Sequence, residues 1–168
     1  MNEPANSPNA ENIAERQISS IRIFEAPRDV VFKMWTEPKH IERWWGPRGF
    51  RTTTASMEFR VNGLWTYTMH GPDGTDYPNQ VRYLVIDAPR RLIYDHGLPG
   101  EPPMFHVEVN FEETPDSAGK RTRLSMCLTF PTKAERDATV EKYGAAEGLD
   151  QTLDRLRDLL ADSAKDPA

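Results

Sequence analysis

Apolar and polar positions alternate with a period of two along most of this chain, and the period becomes helical near each end. Arg16–Glu25 (RQISSIRIFE), with Ile21 and Ile23 among β-formers, predicts a first strand. Pro27 follows where a first helical turn tolerates proline, and Val30, Val31, Met34 and Trp35 then fall at helical spacing. Pro38 opens a second short helix, PKHIERWW, that stops at Gly46-Pro47. Six strand-like runs come next. Arg51–Arg60 carries three successive threonines and then Met57 and Phe59. Leu64–His70 sets Trp65, Tyr67 and Met69 against Thr66, Thr68 and His70. Gln80–Asp87 sets Val81, Tyr83 and Val85 against Arg82, Leu84 and Ile86. Arg91–His96 leads into a Gly/Pro loop at Gly97–Pro103. Phe105, Val107, Val109 and Phe111 share one face, as do Leu124, Met126, Leu128 and Phe130. Turn chemistry at Gly71-Pro72-Asp73-Gly74, Ala88-Pro89 and Glu113–Lys120 separates these runs.

A helix closes the chain. Thr132-Lys133-Ala134-Glu135 has the form of a capping box. Gly144 and Gly148 interrupt the first part, where a bend or break is expected. Leu149, Leu153, Leu156 and Leu160 then form one apolar stripe. The order β, α, α, six strands, long α predicts an α+β domain. Tight turns imply antiparallel pairing, and the long helix must cover the sheet's apolar face. A sheet of six to seven strands curling around one helix leaves a space between them. The boundaries expected are a disordered arm at 1–15, one domain at 16–160 and a disordered tail at 161–168. The 14 prolines, about 8% against a typical ~5%, fall mostly at the seams between elements.

Four passages carry a resemblance to a known superfamily. They are EAPRDVVFKMWTEPKHIERWWGP (25–47), RVNGLWTYTMHGPDG (60–74), VRYLVIDAPRRLIY (81–94) and GLDQTLDRLRDLL in the closing helix. In this order they resemble the helix-grip superfamily known as SRPBCC or START-like, and within it the branch related to the activator of the heat-shock-protein-90 ATPase. The resemblance spans roughly residues 16–160. It departs at Asn62-Gly63, where Gly-Gly is common, at Val81 and Val85, where a glycine and an acidic residue are common, and at Gly148-Leu149, where Gly-Trp is usual. The resemblance implies a cavity between curved sheet and C-terminal helix that takes small hydrophobic or amphipathic molecules. Relatives include lipid and polyketide binders, cyclases and chaperone regulators. In such a fold the inward positions are core and cavity wall at once. The lining expected is Trp35 and Trp44 from the short helices; Trp65, Tyr67 and Met69 from the third strand; Val81, Tyr83 and Val85 from the fourth; Tyr94 from the fifth; Phe105 and Val107 from the sixth; Met126 from the last; and Leu149 and Leu153 from the helix. Tyr and Trp pair an apolar body with one polar handle, which suits such a wall.

Catalytic motifs are missing from the sequence. His96, His106 and Glu108 are the candidates for proton transfer, with His96 and His106 flanking the Gly/Pro loop. Alternation places His106 and Glu108 opposite Phe105 and Val107, on the outer face. An interior histidine would favour an enzyme of cyclase or hydrolase kind. No HExxH, paired His at i, i+4 or CxxC is present, so no metal or other cofactor is expected. Cys127, the single cysteine, excludes an internal disulfide. Of Trp44 and Trp45, Trp44 is expected to pack inward near Ile41 and Trp45 to face the cavity mouth or a partner. No apolar run reaches the ~20 residues of a membrane-spanning helix, and the N-terminus lacks the charge and apolar core of a secretory signal, so a cytoplasmic protein is expected. Net charge is −5, but 1–15 carry −3 and 161–168 carry −1, leaving about −1 for the domain. Nucleic acid is not an expected partner. The partner expected is a small hydrophobic ligand bound without catalysis. A homodimer is compatible with the sequence, and a chaperone partner is suggested by the named branch alone.

Overall fold

The computed structural model describes residues 12–165, with side chains to residue 162. Its strands are β1 (Gln17–Phe24), β2 (Arg51–Met57), β3 (Leu64–His70), β4 (Asp76–Asp87), β5 (Arg91–Gly97), β6 (Phe105–Glu113) and β7 (Thr122–Thr129). Two short helices, α1 (Arg28–Lys33) and α2 (Pro38–Ile41), lie between β1 and β2, and α3 (Lys133–Tyr143) and α4 (Ala145–Lys165) close the chain. The strands form one antiparallel, curved and unclosed sheet in the order β1-β7-β6-β5-β4-β3-β2. β2 to β7 run as a meander, and β7 then pairs with β1, so β1 and β2 are the two edges. This is the α+β helix-grip architecture that the alternation and the resemblance predict.

The strands β3 to β7 pack on the core through alternate residues. Trp65 and Tyr67 of β3, Val81 and Tyr83 of β4, Leu92 and Tyr94 of β5, Val107, Val109 and Phe111 of β6, and Leu124, Met126 and Leu128 of β7 are all buried. α4 lays Leu149, Leu153, Leu156, Leu159 and Leu160 against this concave face. Polar ties hold α4 at both sides. On one, Arg22 of β1 pairs with Asp154 and Asp150. On the other, Arg155 reaches the loop between α2 and β2. Thr132 caps α3 by accepting the Glu135 amide at 3.1 Å, and the expected break falls at Gly144, whose backbone is left-handed (φ 60°). Gly148 stays helical inside α4, where Pro47 packs against it.

The structure corrects four expectations. A register shift between Tyr83 and Val85 inserts an extra residue into β4, so that Val85 pairs with Ile93 and Ile86 with the buried Leu92. Val85 therefore lies on the outer face, and Ile86 packs on the core in its place. Trp44 and Trp45 are both buried, so neither is presented to a partner. Helix α4 continues to Lys165, so 161–165 are helical, while 166–168 lie outside the described residues. Of the expected arm, Ile13–Arg16 form a 3-10 turn capped by the Asn12 side chain, and 1–11 lie outside the described residues.

The departure at Asn62-Gly63 also has a backbone reason. Asn62 holds φ 66°, a conformation asparagine tolerates, and a Cβ on residue 63 would sit 2.0 Å from the Glu58 carbonyl oxygen. Only the second position of that pair needs glycine.

Candidate functional site

The inner face of β3–β5 meets α2 and the residues that follow α1 and α2, and most of the side chains at the meeting point are aromatic. Trp35 sits two residues past α1 and Trp44 and Trp45 end the α2 turn, so the two short helices bring three indoles together, and Trp45 joins them to Trp65 of β3. Ring centroids lie 4.7 Å apart for Trp35–Trp44, 5.5 Å for Trp35–Trp45, 5.4 Å for Trp44–Trp45 and 5.2 Å for Trp45–Trp65, all edge-to-face. Tyr67 stacks on Trp65 at 3.9 Å. The space left is about 10 Å³, walled by Trp35, Ile41, Trp45, Trp65, Val81, Tyr83, Leu92 and Tyr94. That is room for about one water. Side chains fill the space the resemblance implies.

Polar atoms in this interior divide into two sets. Trp44 Nε1 donates to the Met34 carbonyl at 3.1 Å and Trp65 Nε1 to Thr54 Oγ1 at 3.0 Å. Trp45 Nε1 donates to Tyr67 Oη at 3.0 Å, and Tyr67 Oη lies 2.7 Å from His96 Nε2. The arrangement that satisfies most of these groups has Tyr67 donating to His96 Nε2, which leaves the imidazole proton on Nδ1. The second set has no partner: Trp35 Nε1, Tyr83 Oη, Tyr94 Oη and His96 Nδ1 are buried without a hydrogen bond. Trp35, Tyr83 and Tyr94 line the small void itself. Each such orphan costs about 1–3 kcal/mol.

Burial sets the charge state. It pushes the His96 imidazole down to about 4, so the ring is neutral at pH 7. It pushes the Tyr67, Tyr83 and Tyr94 phenols up, and the Tyr67 phenol beside them adds to the rise at Tyr83 and Tyr94. The interior is therefore an uncharged set of donors and acceptors in an aromatic box.

The predicted lining residues are placed as follows. Trp35, Trp65, Val81, Tyr83 and Tyr94 meet at the void. Tyr67 is one ring away, and Trp44 packs behind Trp35 and Trp45. Val107, Met126, Leu149 and Leu153 are buried elsewhere in the same core. Met69 is partly buried beside Gly46. Phe105 is half-buried between His96 and Phe130, at 4.6 and 5.0 Å. Val85 is not brought to the site. Sequence reasoning missed Ile41 and Leu92 as wall residues, offered Trp45 at the cavity mouth or a partner surface and not as buried wall, and did not place His96 inside. The alternation Leu92, Tyr94, His96 carried that last signal. His106 lies outward as expected, at 3.0 Å from Asp95, and Glu108 lies outward near Arg91. Among the described residues no group of His, Cys, Asp or Glu could hold a metal ion, and no helix is long and apolar enough to cross a membrane. A more open hollow of about 150 Å³ lies beside the β5–β6 loop, walled by Gln80, Arg82, Asp95 and Glu101 among others.

Residues 25–161 match the family described as AHSA1, Activator of Hsp90 ATPase homolog 1-like protein. The chain belongs to this family. The AHSA1-like match spans the interior residues named above. The chain is also similar to a solution structure from Arthrobacter aurescens, at 28% identity, covering 90% of both chains with a TM-score of 0.80. It is similar to protein NE0264 from Nitrosomonas europaea at 25% identity, covering 91% of this chain and 99% of that one, TM-score 0.79. Protein Ms6760 from Mycobacterium smegmatis shares the fold at 22% identity, covering 91% and 96%, TM-score 0.78. Among curated proteins none matches the chain. The AHSA1-like helix-grip fold is, in general terms, that of a ligand-binding type of domain.

Proposed function

We propose that this chain binds a small amphipathic molecule in the interior where the inner face of β3–β5 meets α2 and the residues that follow α1 and α2, without transforming it. The observation that carries this reading is a set of buried, unpartnered polar atoms on three of the residues that wall the void: Trp35 Nε1, Tyr83 Oη and Tyr94 Oη. A core built only for stability would use Phe and Leu at these positions, because orphaned polar groups weaken it. Aromatic walls with a few convergent handles are the ordinary make-up of a small-molecule site. With about 10 Å³ free, a molecule larger than water enters only if a ring moves. The test is titration with a naphthalene-sulfonate probe and mass spectrometry of molecules retained from a lipid extract, each repeated on Tyr83→Phe and Tyr94→Phe. Retention that weakens in the variants supports the reading. No retention by the wild-type chain in either assay defeats it.

The Tyr67–His96 pair favours one second reading, an enzyme of cyclase or hydrolase kind, since His96 faces inward. A base that loses its proton near 4 is a weak acceptor at neutral pH, and Tyr67 holds its own proton more tightly than a free phenol. That mismatch leaves His96 better suited to orient a ligand than to move a proton. Turnover of a polyketide-like ester that is level above about pH 4, falls as the pH drops through it, and disappears in His96→Gln would reverse the order of the two readings.

A further inference from the structure

We infer that the Trp45 indole is a built-in occupant of this binding site, latched there by Arg155, and that the external ligand is a planar aromatic molecule bearing one N–H or O–H donor that takes the indole's place. The inference rests on the interior being a binding site, as argued above.

Trp45 differs from its neighbours in how it is held. Trp65 is fixed in β3, and Trp44 is wholly buried with its N–H on a backbone carbonyl. Trp45 begins the loop that leads to β2. At 9% exposure it is the most accessible of the four indoles, against 2% for Trp35, 1% for Trp65 and 0% for Trp44. Its ring walls the void together with Trp35 and Trp65, which it touches, and it also meets Tyr67. Its N–H supplies Tyr67 Oη with a donor. A flat ring with one donor, seated among edge-on indoles, is what the pocket already holds.

The loop is held by polar contacts. Arg155 of α4 points its guanidinium into the loop's carbonyls: Nη1 lies 3.2 Å from the Trp45 oxygen, 3.0 Å from Gly46, 3.3 Å from Pro47 and 3.2 Å from Phe50, and Nη2 lies 3.5 Å from Arg43. Among the described residues no carboxylate pairs with Arg155. Thr52 Oγ1 also donates to the Trp45 carbonyl, at 3.0 Å. Farther along, the Arg48 amide donates to Gln151 Oε1 at 3.2 Å and its guanidinium meets Asp158 at 3.4 Å. Arg48 and Gly49 are exposed, so water can replace the Gln151 and Asp158 contacts, whereas the Arg155 and Thr52 bonds to the Trp45 carbonyl are sheltered and hold the loop. Gly46 (φ 102°) and Gly49 (φ 86°) stand on either side of Pro47-Arg48 as swivel points. Lifting this loop withdraws the indole, opens a ring-sized space beside the orphaned Trp35 Nε1, Tyr83 Oη and Tyr94 Oη, and frees Tyr67 Oη to accept from a newcomer.

The experiment uses the full chain labelled with 5-fluorotryptophan and titrated with indole and with N-methylindole, which has nearly the same shape but no donor. Indole is expected to bind several-fold to about tenfold more tightly, the range one hydrogen bond supplies. The Trp45 fluorine resonance is expected to move to an exposed shift on saturation while Trp44 keeps a buried one. Arg155→Met is expected to raise indole affinity up to about tenfold by loosening the latch. Gln151→Ala, which leaves the core untouched, should raise it by a smaller factor. Arg22→Met, which releases α4 from β1 and not from the loop, should leave it unchanged. Equal binding of the two indoles, a Trp45 resonance that stays buried, or equal effects of Gln151→Ala and Arg22→Met would each overturn the inference. Binding of the naphthalene-sulfonate probe without binding of indole would overturn it and leave the interior site standing. Failure of every probe would remove both.

Discussion

At the residue scale, the interior trades stability for recognition, and Tyr83 and Tyr94 show it. Each phenol oxygen is buried without a partner. Tyr83→Phe and Tyr94→Phe are therefore expected to leave the ligand-free chain as stable or more stable by up to about 1–3 kcal/mol in urea unfolding, while weakening ligand retention. Tyr67→Phe should behave oppositely. It strips an acceptor from Trp45 Nε1 and a donor from His96 Nε2, and should cost about 1–3 kcal/mol. His96 gives the fold a pH dependence. The unfolded imidazole takes a proton near 6.5, whereas the folded one stays neutral down to about 4. Between those values the unfolded state binds the extra proton, so stability falls as pH drops from about 6.5 to 4, by about 3 kcal/mol in all, and this contribution is constant above and below that window. His40, also lowered by burial, acts in the same direction. Asp154, lowered chiefly by its hydrogen bond from Arg22, adds a separate loss only in the more acid range where carboxylates protonate. Urea unfolding at a series of pH values should give His96→Gln a visibly flatter slope between 6.5 and 4 than the wild-type chain.

At the scale of elements, periodicity was readable wherever one face is buried and one is wet. The alternation in β3, β6 and β7, the capping box of α3 and the Leu149-Leu153-Leu156-Leu160 stripe all appear where the pattern puts them. The shift in β4 was not readable. Leu84, Val85 and Ile86 are all apolar, so nothing in their order says which is the inserted residue, and Val85 took the wrong face as a result. Trp45 was obscured for a related reason. Adjacent residues in a turn have no period, and only the three-dimensional meeting of α2 with β3 lets two neighbouring indoles enter one core. Helix α4 runs past Leu160 because 161–165 contain neither glycine nor proline, yet Ala161 and Asp162 are exposed, so no apolar position marks the continuation. The β4 register has a direct check. Ile86→Ala should destabilise more than Val85→Ala, with a cost of about 2–5 kcal/mol if the Ile86 site collapses as poorly as a full core position. Thr132→Ala should cost about 1 kcal/mol through loss of the cap.

At the scale of the whole molecule, one continuous sheet and one long helix share a single core, with no second apolar centre among the described residues to melt separately. Calorimetric and van't Hoff enthalpies of unfolding are expected to agree, and a low-temperature shoulder in the scan would contradict this. A ligand that enters the interior stabilises the whole fold. At one hundred times its dissociation constant the gain should be about 2.7 kcal/mol, read as a rise in midpoint temperature. The curved sheet brings the chain's four tryptophans, from three separate segments, into one cluster with neighbouring centroids at 4.7–5.5 Å. At that spacing their electronic transitions couple, and the near-ultraviolet circular dichroism belongs to the group as a whole. The molecule thus carries an optical gauge at the one place where a guest would sit: a single indole turning away would redraw the entire couplet, with no dye attached.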